Sequence, residues 1–143
     1  MLTKEQMQEI REHLNNSQNP VFFFDNDQDG LCSFLLLQKY LGRGKGFPIK
    51  TSPALTKDYL RKVDEFNSDY VFVLDKPEIS EDFVTEIEKK NIPIVWIDHH
   101  DISPEKIPKY VNYYNPLFNK DKKSEPVTYI CYNITKRKED MWI

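Results

Sequence analysis

The chain has 143 residues, a length that suits one domain and falls short of two well-cored ones. Its 39% hydrophobic, 30% charged and 13% aromatic residues exclude a disordered chain, its longest apolar runs (21–24 and 34–37) are far too short to span a bilayer, and no signal-peptide core follows the N-terminus. The net charge of -3 excludes nucleic-acid binding by bulk positive charge alone and leaves room only for a local basic patch.

In chain order, Thr3 and Gln6 form a capping-box signature, with Leu2 placed to staple against Met7, and Met7, Ile10 and Leu14 continue at helical spacing. His13, on this helix, reads as a solvated surface residue. A turn-rich cluster at 15–20 leads into Val21-Phe22-Phe23-Phe24, a short apolar run without alternation, as in a strand buried on both faces of a parallel sheet. Residues 31–41 read as a buried helix ended by Gly42, Gly44 and Gly46, and 48–52 as a second strand. Leu55, Tyr59, Leu60, Val63 and Phe66 trace a helical stripe, and a clear strand follows from Tyr70 to Leu74. Ser80 opens a helix through Phe83, Val84 and Ile87, and 92–97 supplies another buried strand. A weaker strand at 111–114 precedes a last helix with Pro126 in its first turn and Val127, Ile130, Cys131 and Ile134 on one face. Cys32 and Cys131 read as buried thiols in a reducing compartment, with a disulfide between them left open, and the expected location is the cytoplasm. The alternation predicts an α/β fold over residues 1–143: a mostly parallel, Rossmann-like sheet flanked by helices.

Three of the predicted strands end in acids: Asp25-Asn26-Asp27-Gln28-Asp29-Gly30 after the first, Asp75 after the third, and Asp98-His99-His100-Asp101 after the fourth. In a parallel sheet these clusters emerge on one edge, where ligands gather. Carboxylates crowded there repel one another unless cations neutralise them, so convergence points to divalent metal. Mixed carboxylate and imidazole without thiolate suits Mn²⁺, Fe²⁺, Co²⁺ or Mg²⁺ better than structural zinc. Two such ions about 3.5–4 Å apart, bridged by a carboxylate, are a common arrangement for hydrolysis at phosphorus. A calcium loop is the weaker reading of residues 25–30, because its twelfth position falls on Leu36 instead of a bidentate Glu. Asp75 alone is an ordinary strand-end residue, and Asp101 reads as a helix cap or loop residue.

Together these residues resemble the DHH phosphoesterase family. The motif is Asp98-His99-His100, the first family motif corresponds to residues 25–30 with Ser33, the second to Asp75 in Val-Leu-Asp-Lys-Pro, and Pro126-Val127-Thr128-Tyr129 resembles the segment ahead of the fourth. The likeness is to the RecJ-like, archaeal-type branch of single-stranded nucleic acid exonucleases. Family II pyrophosphatases instead carry a His where this chain has Phe23, which disfavours that activity.

The resemblance implies Asp27, Asp29, Asp75 and His99 as ligands of Mn²⁺ (or Mg²⁺), with Asp75 bridging two ions and Asp25 a ligand or a support. It implies His100 at the scissile phosphate or leaving group, and Asp98 orienting an imidazole. The family's further Asp ligand and its C-terminal DHHA1-type clamp domain find no counterpart before Ile143, and the terminal Met-Trp-Ile itself reads as apolar surface that expects a neighbour. The expectation is therefore a metal-bearing part or half of a larger or split protein. A second polypeptide then supplies the missing ligand and clamp, and single-stranded nucleic acid or a short oligonucleotide is the substrate. Lys45, Lys50, Lys76 and the lysines of 120–123 are candidates for a phosphate track, and Tyr113 and Tyr114 for base stacking, with core packing favoured for at least one. The alternatives are a non-catalytic scaffold in a replication complex and a hydrolase of small nucleotides.

Overall fold

A computed structural model describes residues 1–50 and 54–143. Helix α1 (Lys4–Asn16) begins at the expected capping box: the Gln6 amide donates to Thr3 Oγ1 at 3.0 Å and the Thr3 amide to Gln6 Oε1 at 2.9 Å. Strand β1 (Pro20–Asp25) follows, buried except at Asp25. Helix α2 (Gln28–Leu41) starts three residues before the apolar run that announced it, because Asp27 caps it by accepting the Gly30 amide at 2.8 Å. Gly42 ends it at φ 77°, a left-handed cap that glycine adopts without cost.

Strand β2 (Lys45–Ile49) lies earlier than expected and runs through Pro48, which is tolerated because β2 is an edge strand. Part of the expected 48–52 strand lies outside the described residues. The helical stripe beginning at Leu55 is also cut short. Ala54–Leu55 form a strand, β3, a 3₁₀ turn spans Lys57–Tyr59, and only Leu60–Glu65 are α-helical, as α3. Leu55 pairs across to Ile79, so burial in a strand pair overrides its helical spacing.

Strand β4 (Tyr70–Leu74) leads to β5 (Glu78–Ile79), which pairs with β3, and to helix α4 (Glu81–Lys89), whose Ser80 cap is the expected one. Strands β6 (Ile94–Ile97) and β7 (Asn112–Tyr114) precede helix α5 (Val127–Thr135), with Pro126 at its cap position. The main sheet has the order β2-β1-β4-β6-β7 with every pairing parallel.

Alternation along the strands sorts side chains to two faces. Phe22, Phe24, Phe72, Leu74, Val95 and Ile97 pack beneath α1, α2 and α5. Val21, Phe23, Val71, Val73, Ile94 and Trp96 pack against α3 and α4. This is the expected α/β architecture, and among the described residues there is no second domain. Among the described residues no helix is long and apolar enough to cross a membrane.

Two surface expectations are corrected. His13 is half-buried, with Nδ1 2.8 Å from Tyr70 Oη, because the helix face behind Ile10 and Leu14 meets the N-terminal end of β4. Cys131 is buried but Cys32 is partly exposed, and both thiols are free.

Candidate metal centre

The direction in which strands are added to the sheet reverses between β1 and β4: β1 is followed by its neighbour on one side, β2, and the later strands add on the other. The crevice beyond the carboxyl ends of the two strands at such a reversal is where open α/β sheets bind ligands. Asp25 and Asp27 leave β1 there, Asp75 leaves β4, and the Asp98–His100 turn leaves β6.

Backbone geometry aims these groups. Asp75 sits at φ 61°, a left-handed conformation uncommon for a non-glycine residue, which turns the chain sharply at the end of β4. Gly30 lets the 25–30 turn close on itself: a Cβ there would lie 2.1 Å from the Asp25 carbonyl oxygen. The Asp27 amide donates to that same oxygen at 2.8 Å.

Among the described residues two groups of possible ligands result, Asp25–Asp27–Asp75 and Asp75–His99–His100, each with one ligand atom per residue within 4.8 Å of the others. Asp75 belongs to both. Its carboxylate is almost fully buried, and Oδ1 has no hydrogen-bond partner among the described residues. His99 Nε2 stands 3.0 Å from that oxygen without the alignment of a hydrogen bond. Burial pushes the Asp75 carboxyl up to about 6, with the Asp29 and Asp27 carboxylates adding to the rise. The close polar contact with Asp75 in turn raises His99, against the effect of burial.

An orphaned, buried carboxylate oxygen beside an unaligned imidazole nitrogen fits a divalent ion. Two ligands about 2.1 Å from one ion and at right angles to each other lie about 3 Å apart. The donor set, carboxylate and imidazole without thiolate, suits Mn²⁺, Fe²⁺, Co²⁺ or Mg²⁺ better than structural zinc.

The remaining predicted residues take different places. Asp98 is fully buried and reaches the His100 ring, with Oδ1 2.6 Å from Nδ1, while Oδ2 accepts the His100 amide at 3.2 Å. Burial raises the Asp98 pKa and the bond to His100 opposes the rise. His100 therefore turns Nε2, its free ring nitrogen, away from Asp98. Asp29 stays outside both groups: its carboxylate accepts the Val127 amide at 3.0 Å, the Thr128 amide at 2.7 Å and the Thr128 hydroxyl at 2.6 Å. It caps α5 from another part of the chain and remains 3.7 Å from His99 Nε2. Asp101 is exposed.

Lys76 does not line a surface track. Its side chain is 2% exposed and its ammonium pairs with Asp25 Oδ1 at 3.1 Å. Tyr114 is buried and donates to Glu9, and Tyr113 packs edge-on against Trp96 with its hydroxyl accepting from Asn115, so both rings are committed to packing. Asn115, which sequence reasoning passed over, is buried at the end of β7 and donates to the His100 carbonyl at 2.8 Å, bracing the motif turn. Its signal was only a polar residue one step past a weak strand. The cap role of Asp29 had a clearer trace, since Pro126 offers α5 no capping side chain. Beside Asp27 an open recess of about 410 Å³ is lined by Phe24, Asn26, Gln28, Leu31 and Pro48.

Comparison with known proteins bears on the family and the fold. The family model described as "DHH family, N-terminal domain" matches residues 21–141. Among solved structures, exonuclease RecJ bound to manganese superposes with a TM-score of 0.73 at 18% identity, covering 92% of this chain and 35% of that one. RecJ in complex with Mn²⁺ from Thermus thermophilus gives 0.70 at 18% identity, over 92% and 19%. A DHH domain from a protein described as a member of a family of ribosomal proteins gives 0.67 at 18% identity, over 93% and 40%. The chain thus spans well under half the length of each, and at this identity the likeness is one of fold. No curated protein sequence matches.

Proposed function

The chain belongs to the DHH family, of which it carries the N-terminal domain, and on that premise we propose that it is the metal-bearing part of a phosphodiesterase that cleaves single-stranded DNA or RNA, or short oligonucleotides, with Mn²⁺ or Mg²⁺. The observation that carries the proposal is that buried Asp75, whose Oδ1 lacks a hydrogen-bond partner among the described residues, belongs to both groups of possible ligands, as a carboxylate shared by two ions would. Asp27, Asp75 and His99 would hold the ions. Bound divalent ions supply an activated water at neutral pH and stabilise charge on the attacking and leaving oxygens.

The chain's own side chains account for the rest of the chemistry. Asp98 accepts from His100 Nδ1–H and fixes the ring, so Nε2 faces the site, and only when Nε2 also carries a proton does it donate to a phosphate oxygen or pass that proton to the leaving group. Asn115 fixes the carbonyl of His100 and with it the ring's origin. The recess beside Asp27 offers an apolar shelf, Leu31 and Pro48, to a sugar or base next to the cleaved phosphate. In this proposal a second domain or a second polypeptide contributes a further carboxylate ligand and closes over the nucleic acid.

Titration calorimetry with Mn²⁺, followed by assays on labelled single-stranded DNA and RNA with candidate second chains, tests the proposal. Binding of at least one Mn²⁺ and cleavage in a cognate pairing are expected. Metal binding without cleavage in any pairing overturns the enzymatic reading, and absence of Mn²⁺ binding favours a scaffold.

A further inference from the structure

Lys76 stands where a metal site would not be expected to place a cation. Three carboxylates, those of Asp25, Asp27 and Asp75, approach within 4.8 Å, and the Lys76 ammonium lies 3.1 Å from Asp25 Oδ1. That oxygen also accepts the Asn26 amide at 3.2 Å, so it already has two donors. The lysine is not a mobile surface chain swung into contact. Its side chain is 2% exposed, its carbonyl accepts the Trp96 indole N–H at 2.7 Å, and it lies between Asp75, at φ 61°, and Pro77. A buried ammonium persists only when paired, and the groups around it hold it against Asp25.

We propose that Lys76 is a built-in counter-cation of the metal centre, a positioning residue that occupies Asp25, withholds that carboxylate from the ions, and limits the centre to ligands from Asp27, Asp75 and His99. The inference rests on the metal-binding reading above. Its physical basis is charge. The three carboxylates carry three negative charges, and the ammonium offsets one of them. A compact, tethered point charge does this without competing for the coordination sphere, since an ammonium donates hydrogen bonds and has no lone pair. Asp25 thereby becomes the strut that fixes the 25–30 turn, not a ligand.

The test is Mn²⁺ titration calorimetry on wild type, Lys76→Met and the charge-balanced Asp25→Asn/Lys76→Met pair, with thermal unfolding of each. Removing the ammonium alone frees Asp25 and adds one net negative charge, so Lys76→Met is expected to bind Mn²⁺ about tenfold more tightly, or to take up a further equivalent. The double variant removes strut and counter-cation together, and its Mn²⁺ dissociation constant is expected within about threefold of wild type, since neither deleted group is a ligand. A folded Lys76→Met whose affinity is unchanged or weaker overturns the proposal. A double variant weakened tenfold or more also overturns it, by making Asp25 a ligand, and decides the matter if Lys76→Met fails to fold. Failure of the wild type itself to bind Mn²⁺ refutes the metal reading first, which separates the two.

Discussion

At the scale of single residues, the site depends on side chains whose roles follow from a neighbour. Gly30 is required because the turn folds its α-carbon onto the Asp25 carbonyl. Gly30→Ala must push that backbone away, and an unfolding titration is expected to show a loss of about 1–3 kcal/mol, with weaker Mn²⁺ binding as Asp27 is displaced. Asp98 acts only through His100. Asp98→Asn keeps the size of the side chain but removes the carboxylate that accepts from His100 Nδ1 and orients the ring, so cleavage by the assembled enzyme is expected to fall about 10²-fold or more while Mn²⁺ affinity is retained. A parallel loss of metal affinity would show that Asp98 supports His99 instead. Asp25, Asp27, Asp29, Asp75, Asp98, His99 and His100 were legible as a cluster because each follows a strand in a parallel sheet. The division of labour among them was not, since it depends on which oxygen faces Lys76, an α5 amide or a histidine ring.

At the scale of elements, α5 shows how the motif loop is tied to the rest of the fold. Its first amides have no capping side chain of their own, and Asp29, 98 residues away from Val127 in sequence, accepts them. A carboxylate at a helix N-terminus also answers the helix dipole. Thr128→Val removes the 2.6 Å hydroxyl bond to Asp29 and is expected to cost about 1–2 kcal/mol in denaturant unfolding, more than a surface threonine would. Strands β1, β4 and β6 were readable as unbroken apolar runs, because burial on both faces leaves no alternation. The stretch after Leu55 was misjudged for a physical reason: its apolar spacing suits a helix, but pairing of β3 with β5 buries Leu55 against Ile79, and no local signal reports a partner 24 residues on.

At the scale of the whole molecule, two effects act on stability. The carboxylates at the sheet edge gain compensation from any ion that binds the folded state alone, so Mn²⁺ in excess is expected to raise the thermal midpoint in a concentration-dependent way, and EDTA to reverse it. No shift would argue against a preformed centre. The second effect concerns the contact of α1 with β4. Burial holds the His13 pKa below its ordinary value of 6.5, against the pull of the Glu9 and Glu12 carboxylates, while Tyr70 Oη faces the ring. The unfolded chain then takes up a proton more readily than the folded one, so this contribution is complete above pH 6.5 and is lost as the pH falls below it. Unfolding measured between pH 7.5 and 5.5 is expected to show a shallower decline for His13→Gln than for wild type.

The sequence by itself determined the α/β class, the buried central strands and the set of acids and histidines at their ends, because hydrophobic runs and strand-end polarity are local properties of the chain. Only the tertiary structure decided that Asp29 is held by α5, that Asp98 pairs with His100 and that Lys76 is buried against Asp25. These are contacts between residues far apart in the chain, or between rings and carboxylates whose orientation the backbone sets, and neither is encoded in spacing.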